Sequence, residues 1–254
     1  MGISLTDNQK IAADLIHMSY QEMEKRLSIK KFEVSIIIPV YNGEKYIFEA
    51  IISALNQTIP CEVIVVNDGS TDKTHDLLCG VHEITYLIKN NGGTASALNI
   101  GIRNSSGEWI HWLSADDVLY EDAIENMLKN IDNNEKIYYS NYDIIDENSQ
   151  VIGEFIEPIE RNFRTREERF KELMGNYYGN GSSTMIHKTV FEKIGYFDES
   201  LGHSEDFDFK LKAIKNGIDL KLIPIKTLKY RYHSEQMTHK VGGSLNDLIR
   251  SRYI

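Results

Sequence analysis

Short apolar runs alternate with amphipathic stretches along the first half of the chain. Four apolar runs are typical of strands in a parallel sheet buried on both faces, and they cover residues 33–40, 61–67, 83–89 and 108–113. Pro39 is expected to end the first run, because proline has no N–H to donate to a neighbouring strand. Between the runs, apolar residues recur at helical spacing, in helices predicted over 47–55, from the turn at 68–72 to about Cys79, and over 94–103.

This alternation predicts an α/β fold in which helices connect neighbouring strands of a doubly wound sheet. Ligands of such sheets bind outside the carboxyl ends of the strands. Polar clusters follow all four predicted strands, at residues 41–42, 68–70, 90–93 and 114–117. The pattern therefore predicts a ligand site where these four loops meet.

The second half of the chain is less regular. A helix is predicted over 121–131, and a hairpin over 136–145 and 150–156 around the turn at 146–148. Residues 160–175 are charged, and they fit either a solvated helix and loop or a mobile lid. A further helix begins near His203 and turns Phe207, Leu211 and Ile214 inward.

Charge and composition exclude some classes of partner. The 254 residues carry a net charge of −10, and no run of basic residues is longer than Lys30-Lys31. Nucleic acid is therefore excluded as a main partner, because binding its phosphates needs a basic surface. No apolar run approaches the ~20 residues that span a bilayer, and no signal-peptide pattern is present. We expect a cytoplasmic protein, with peripheral contact to the inner face of the plasma membrane left open.

The two cysteines and the N-terminus give weaker indications. Cys61 and Cys79 lack metal-type spacing, so we expect two buried free thiols in a reducing compartment. Residues 7–27 predict a helix ahead of the main fold. Such a helix is typical of a packing or oligomerisation arm, which leaves a homo-oligomer open.

The loop residues suit a nucleotide. Asp68 can accept a hydrogen bond from a base N–H or a ribose hydroxyl, and Tyr41 offers a ring face to a base. Gly92-Gly93 allow backbone amides to approach a ligand at a helix start. No G-x-G-x-x-G follows a strand and no P-loop sequence is present, so a dinucleotide or P-loop site is not indicated.

Two adjacent carboxylates, Asp116 and Asp117, follow the fourth strand, and two interpretations stay open for them. Paired carboxylates at a strand end can hold a divalent cation against a phosphate-bearing ligand. Alternatively, they only cap the helix predicted after them, where negative charge suits the helix dipole.

Four stretches, taken in order, resemble the family 2 inverting glycosyltransferases of GT-A fold: VSIIIPVYNGEKYIFEAIISALNQT, VIVVNDGSTDKT, NNGGTASALNIGI and GEWIHWLSADD. The resemblance covers about residues 33–233. It implies a Rossmann-like, mostly parallel central sheet flanked by helices, with a smaller acceptor-side subregion. It also implies four segments: an N-terminal helical extension (1–31), a nucleotide-sugar-binding half (32–119), an acceptor-binding and catalytic half (120–233) and a C-terminal tail (234–254).

The resemblance assigns a donor site. Asp68 would recognise the uracil of a UDP-sugar, and Asp116 matches the last Asp of the family's Asp-x-Asp motif, a ligand of Mn²⁺ or Mg²⁺. Ser114 stands where that motif begins with Asp, and Leu98 stands where an Arg often precedes Asn99. The nucleotide-binding residues it implies are Pro39, Val40, Tyr41, Glu44, Asp68, Gly93, Asn99, Ser114, Ala115 and Asp116.

The resemblance also assigns the catalytic residues. Glu205-Asp206 matches the family's Glu-Asp pair, with Asp206 as the general base and Glu205 as a nearby stabiliser. Inverting transfer needs one carboxylate that deprotonates the acceptor hydroxyl. His233 matches a histidine that can reach the metal, although a lone histidine is also typical of a surface or core position.

These assignments predict an inverting, metal-assisted transfer of a hexose or N-acetylhexosamine from a UDP-sugar to a hydroxyl of a glycan or lipid-linked acceptor. The alternative is a pseudoenzyme that keeps the nucleotide pocket but has lost turnover through Ser114 and Leu98. A sugar-nucleotide pyrophosphorylase is not favoured, because residues 41–45 lack its glycine-rich, basic signature.

Overall fold

A computed structural model describes residues 32–176, 178–236 and 244–253. The fold presented below belongs to the compact unit Phe32–Ile254. The predicted N-terminal helix over 7–27 and the centre of the tail lie outside the described residues.

The first half alternates strand and helix as predicted. In chain order the elements are β1 (Val34–Val40), α1 (Ile47–Leu55), β2 (Glu62–Asn67), α2 (Thr74–Leu78), β3 (Thr85–Ile88), α3 (Thr94–Asn104) and β4 (Trp109–Trp112).

The second half contains the predicted hairpin and several elements that the apolar pattern did not resolve. The elements are β5 (Val118–Leu119), α4 (Ala123–Lys129), β6 (Lys136–Ile145), β7 (Val151–Phe155), a 3-10 helix (Ile159–Phe163), α5 (Arg166–Gly175), a second 3-10 helix (Gly181–Ser183), β8 (Thr184–His187), α6 (Lys188–Ile194), α7 (Glu205–Lys215), β9 (Asp219–Arg231) and α8 (Ser244–Ser251).

One sheet runs through both halves, in the order β3-β2-β1-β4-β8-β6-β9-β5, with β7 paired to β6. Strands β3, β2, β1 and β4 are parallel, and β6 is parallel to β9. Between these groups β8 is antiparallel to both β4 and β6. The carboxyl ends of the first four strands therefore lie at one edge, as the sequence predicts.

Two apolar cores cover the two faces of the sheet, which explains the continuous apolar strands. Alternate β1 residues contribute to each core: Ile37 to one, and Ile36 and Ile38 to the other. Helix α3 lies so close to β1 that a Cβ added at Gly101 would lie 2.3 Å from Ile37 Cγ2. Only glycine fits that approach.

Pro39 does not end its strand. It lies inside β1 and pairs in register with Val66. Leu113 N donates to the carbonyl of Ile37, and Asp68 N donates to that of Val40. Backbone groups of β1 point alternately to its two neighbours, so those of Pro39 point towards β4. Strand β4 has already ended at this level, so no hydrogen bond between the strands is lost.

Two other expectations are wrong. The cysteines are free, but they are not buried, since Cys61 is half-buried and Cys79 is exposed. Asp116 and Asp117 do not cap a helix, because β5 follows them and α4 begins only after Asp122.

The charged segment packs on β9. Thr165 and Glu168 form a capping box at the start of α5. Arg166 Nε lies 3.2 Å from Asp219 Oδ1, and Arg169 Nη1 donates to the carbonyl of Leu220 at 2.9 Å. The segment is thus anchored at several points, and its function as a lid stays a prediction. Among the described residues, no helix is long and apolar enough to cross a membrane.

Candidate active site

The loops after β1 and β2 are joined by hydrogen bonds. Ser70 Oγ accepts from Asn42 N at 2.9 Å, and Asn42 Oδ1 accepts from Thr71 N at 2.8 Å. Glu44 Oε2 accepts from Lys73 N at 2.9 Å. Asn42 adopts a left-handed conformation (φ 52°), which amide side chains tolerate better than most. The two loops therefore form one continuous rim.

The residues predicted to line the base pocket lie on or beneath this rim. Tyr41 is 49% exposed and Glu44 is exposed, so both side chains are available to a ligand. Pro39 and Val40 are buried in β1, and their side chains contribute to the floor rather than to the rim.

Asp68 joins the rim to the loop after β3. Its side chain is buried and accepts from Gly92 N at 2.9 Å and Gly93 N at 2.7 Å. Lys89 forms an ion pair with the same carboxylate. The backbone amides of Gly92 and Gly93 were expected to approach a ligand. In the structure they donate to Asp68 instead. A carboxylate has about four acceptor positions, so Asp68 keeps capacity for a base or ribose donor.

Asp116 and His233 lie together, with Asp116 Oδ2 3.0 Å from His233 Nε2. The side chain of Asp116 is 29% exposed and that of His233 is 10% exposed. A Cβ at Gly43 would lie 3.7 Å from Ala115 Cβ, so the loop after β1 touches the loop after β4. Ala115, the neighbour of Asp116, therefore lies against the rim.

This pair fits a hard cation. The described residues contain no cluster of three His, Cys, Asp or Glu that could hold a metal. Asp116 Oδ2 and His233 Nε2 lie within hydrogen-bond distance of each other at 3.0 Å, and a carboxylate and an imidazole are both side chains that would bind a divalent cation. Mg²⁺ sites commonly combine one or two protein ligands with substrate phosphates.

Arg231, which the sequence analysis missed, holds this part of the site from behind. Its side chain is fully buried. Nε donates to the carbonyl of Asp116 at 2.8 Å, Nη2 donates to Glu49 Oε2 at 2.9 Å, and the backbone N–H donates to Asp117 Oδ1 at 2.9 Å. Strand β9 ends at Arg231, so alternation along the strand does not extend to His233, and no local signal in the sequence marked Arg231.

Asp117 is buried and Ser114 is half-buried. Burial, followed by the charge of Asp116, raises the pKa of Asp117 well above its usual range. Ser182 Oγ donates to Ser114 Oγ at 2.6 Å and accepts from Ser114 N at 3.1 Å. Ser114 is therefore tied to the 3-10 helix before β8.

Glu205 and Asp206 begin α7, directly after Ser204 in a left-handed conformation (φ 60°). Glu205 is 6% exposed, and burial, followed by the charge of Asp206, raises its pKa to about 7. Asp206 Oδ1 accepts from Phe207 N at 2.8 Å, and Asp206 Oδ2 lies 3.4 Å from Lys210 Nζ.

Residues 178–183, named here the bridging segment, connect the surroundings of Asp206 to Ser114. Lys210, the partner of Asp206, donates to the carbonyl of Gly179, while Ser182 bonds Ser114. A Cβ at Gly181 would lie 2.7 Å from the ring of Trp112, so glycine lets the segment lie against the end of β4. The structure thus places the two predicted carboxylate sites at opposite ends of one short segment.

Asn99 has a different environment. It is buried, and its Nδ2 donates to the carbonyl of Phe197 at 3.0 Å and to Glu199 Oε1 at 2.8 Å. The hydrogen bonds of its side chain hold the turn that contains Phe197 and Glu199. Leu98 is buried in the apolar core. The place of Asn99 beside a donor stays a prediction.

Comparisons with known proteins agree with these features. Residues 35–195 match the family model described as Glycosyl transferase family 2. An uncharacterized glycosyltransferase of Rickettsia typhi is 39% identical over 222 residues, which are 84% of this chain and 68% of that protein. The minor teichoic acid biosynthesis protein GgaB of Bacillus subtilis is 40% identical over 110 residues, which are 40% of this chain and 12% of that protein.

A solved structure shares the fold. S. aureus TarS 1–349 in complex with UDP-GlcNAc aligns with a TM-score of 0.64 at 18% sequence identity. The alignment covers 87% of this chain and 71% of that chain. At this identity the likeness shows the fold alone.

Proposed function

Because the chain belongs to glycosyl transferase family 2 and is therefore a glycosyltransferase, we propose that it transfers a hexose or N-acetylhexosamine from a UDP-sugar, with inversion, to a hydroxyl of a glycan or lipid-linked acceptor. The observation that supports this reaction most is the bridging segment, which joins the Asp206 side through Lys210 to the Ser114–Asp116 side through Ser182. A donor held at one end would present its sugar to a base at the other.

The proposed donor site is the rim of Tyr41, Glu44 and Asp68, with Gly93 and the 114–116 loop at its sides. The uracil N–H suits the remaining acceptor capacity of Asp68. The solved structure of TarS is a complex with UDP-GlcNAc, which supports a UDP-sugar as the class of donor.

Mn²⁺ or Mg²⁺ is the proposed cofactor, with Asp116 and His233 as its protein ligands. When bound, such an ion neutralises the diphosphate leaving group. Asp116 and His233 are positioned for this by Arg231, which donates to the Asp116 carbonyl and lies in the strand that ends two residues before His233.

Asp206 is the proposed general base. Its carboxylate takes the proton of the acceptor hydroxyl as the oxygen forms a bond to the anomeric carbon. On the opposite face, the bond from that carbon to the diphosphate oxygen breaks, and UDP leaves with the electron pair. Glu205, with its pKa raised to about 7 by burial, is only partly ionised beside the base near neutral pH.

The acceptor is proposed from the relatives. GgaB is named a minor teichoic acid biosynthesis protein, which supports a cell-envelope polysaccharide or its lipid-linked precursor as the acceptor class. We accordingly place the reaction at the cytoplasmic side of the membrane.

UDP release from a panel of UDP-sugars, with and without Mn²⁺, tests the proposal in the wild type and in Asp206→Asn. Removing a general base lowers turnover by about 10²–10⁴-fold, while UDP binding should persist. Asp208→Asn is the matched control, because Asp208 lies on the same helix but bonds Tyr253, and it should keep turnover. UDP binding without turnover of any donor by the wild type would instead support the pseudoenzyme.

A further inference from the structure

A lysine is buried beneath the proposed base. The side chain of Lys210 is 3% exposed, and it follows Asp206 by one helical turn on α7. Lysine is almost never fully buried unless it is paired. The charge of Lys210 therefore needs partners, and those partners define what the residue does.

Its partners come from two elements. The ammonium donates to the carbonyl of Gly179, lies 3.5 Å from the carbonyl of Tyr178 and lies 3.4 Å from Asp206 Oδ2. One cation thus connects the proposed base to the start of the bridging segment.

Other charged groups complete the surroundings. Glu205 adjoins Asp206 on α7 and is buried. From the opposite side, Glu157 Oε1 accepts from Gly179 N at 3.1 Å, and Arg161 pairs with Glu157. Among these groups, Lys210 is the cation that pairs with Asp206, at 3.4 Å.

A purely structural function would be to hold the bridging segment. That segment is held by other bonds as well. Glu157 Oε1 accepts from Gly179 N and Ser182 bonds Ser114, while bonds from Ser182 N and Ser183 Oγ to Asn180 stabilise the segment internally. A neutral donor at position 210 would satisfy the Gly179 carbonyl without the cost of burying a charge. The charge is explained by the carboxylate.

We propose that Lys210 is a positioning residue, which orients the Asp206 carboxylate towards the bridging segment through the ion pair between them. The inference rests on the proposed function, because it needs Asp206 to be the base. It assigns Lys210 no contact with donor, metal or acceptor.

The measurable consequence lies in the pH profile. A cation within about 4–6 Å favours the ionised form of a carboxylate by about 1–3 pH units. In Lys210→Met, which keeps the length but not the charge, the acid limb of kcat/KM should move up by about 1 pH unit. The KM for the UDP-sugar should stay within about twofold, since uniform donor binding is unchanged.

The experiment measures kcat and KM from about pH 5 to about pH 9 for the full chain and its variants. Lys210→Arg retains a cation and should keep the acid limb of the wild type even where kcat falls. Lys212→Met is the matched control, because Lys212 lies two residues on and donates to the carbonyl of Tyr196. It should leave the profile unchanged.

The double variant Asp206→Asn/Lys210→Met separates the two proposals. If Lys210 acts through Asp206, adding Lys210→Met to Asp206→Asn should change residual turnover by less than about twofold. An unshifted acid limb in Lys210→Met, or a shifted one in Lys210→Arg, would overturn the inference while leaving Asp206 as the base. Full activity of Asp206→Asn would instead overturn the proposed function.

Discussion

At the scale of single residues, both carboxylate pairs divide the work in the same way. Asp117 and Glu205 are buried and have a raised pKa, whereas their neighbours Asp116 and Asp206 pair with His233 and Lys210. Burial disfavours the charged form of the buried member, and the adjacent carboxylate adds to this effect. In each pair the buried carboxyl therefore keeps its proton to a higher pH than an ordinary carboxyl would.

Glu205→Gln should stabilise the protein, and more so at high pH. The folded state holds the Glu205 proton up to a pKa of about 7, against 4.5 for the ordinary group. Between these values the folded state binds more protons than the unfolded chain, so the free energy of unfolding falls as pH rises. The Glu205→Gln variant does not show this fall in the free energy of unfolding. In the wild type, the difference between the two pKa values limits the fall to about 3 kcal/mol.

Urea unfolding at about pH 5 and about pH 8 measures this difference. Glu192→Gln serves as the control, because Glu192 is exposed on α6. An advantage of the Glu205 variant that is equal at both pH values would contradict the assigned burial effect.

His233→Asn should weaken the metal dependence. The variant removes one of two protein ligands, so we expect about tenfold or more Mn²⁺ for half-maximal turnover, in line with losses seen at metal sites. Titration with Mn²⁺ after chelation of metal from the wild type gives the comparison, and chelation alone should stop turnover. His82→Asn changes an exposed histidine and should behave as the wild type. Equal metal dependence in both variants would show that His233 is not a metal ligand.

Residues that directly follow apolar runs were more predictable than charged residues within helices and strands. Tyr41, Asp68 and Asp116 follow apolar runs, so their loops could be placed at one edge from the pattern alone. Arg231 and Lys210 could not be placed in this way, because local sequence puts a charged residue on a solvated face. Their partners come from distant segments, such as Glu49 for Arg231 and Gly179 for Lys210.

At the scale of elements, long apolar runs were predictable and short or polar strands were not. Strands β1 and β2 were expected within one residue of their observed ends. Strand β9 spans Asp219–Arg231, but charged residues interrupt its apolar positions, so the apolar pattern did not indicate it. The two-residue β5 is stabilised by pairing with β9, and nothing local indicates it.

Helix α3 gives a prediction at this scale. Gly101→Ala should lower the free energy of unfolding by about 1–3 kcal/mol, because overpacking a core forces side chains to shift, and the new methyl would meet Ile37. Gly175→Ala is the matched change at the end of α5, where nothing lies within 4 Å of the added carbon. It should leave stability unchanged or raise it by up to about 1 kcal/mol.

Thermal or urea unfolding of both glycine variants gives the comparison. Equal stabilities for Gly101→Ala and Gly175→Ala would mean that α3 does not approach β1 as closely as described.

At the scale of the whole molecule, the GT-A-type α/β fold expected from the sequence is confirmed by the mostly parallel sheet and by the likeness to TarS. The two halves proposed from the resemblance share that sheet, and contacts place Phe32–Ile254 in one compact unit. A continuous sheet predicts that residues on both sides of β8 unfold together.

Hydrogen exchange in increasing urea tests this cooperativity. Amides of β2 and of β9 lie on opposite sides of β8, and they should lose protection at the same urea concentration. Loss of protection in β9 well before β2 would show two separately stable halves.

The position of β8 also bears on synthesis at the ribosome. Strand β4 is complete at Trp112, but the neighbour that covers its outer edge begins only at Thr184. A nascent chain that has emerged no further than α5 has unpaired N–H and C=O groups along β4, which are open to pairing with another chain. Products truncated before Thr184 should therefore aggregate, and the enzyme's solubility in the cell depends on how quickly translation passes that point.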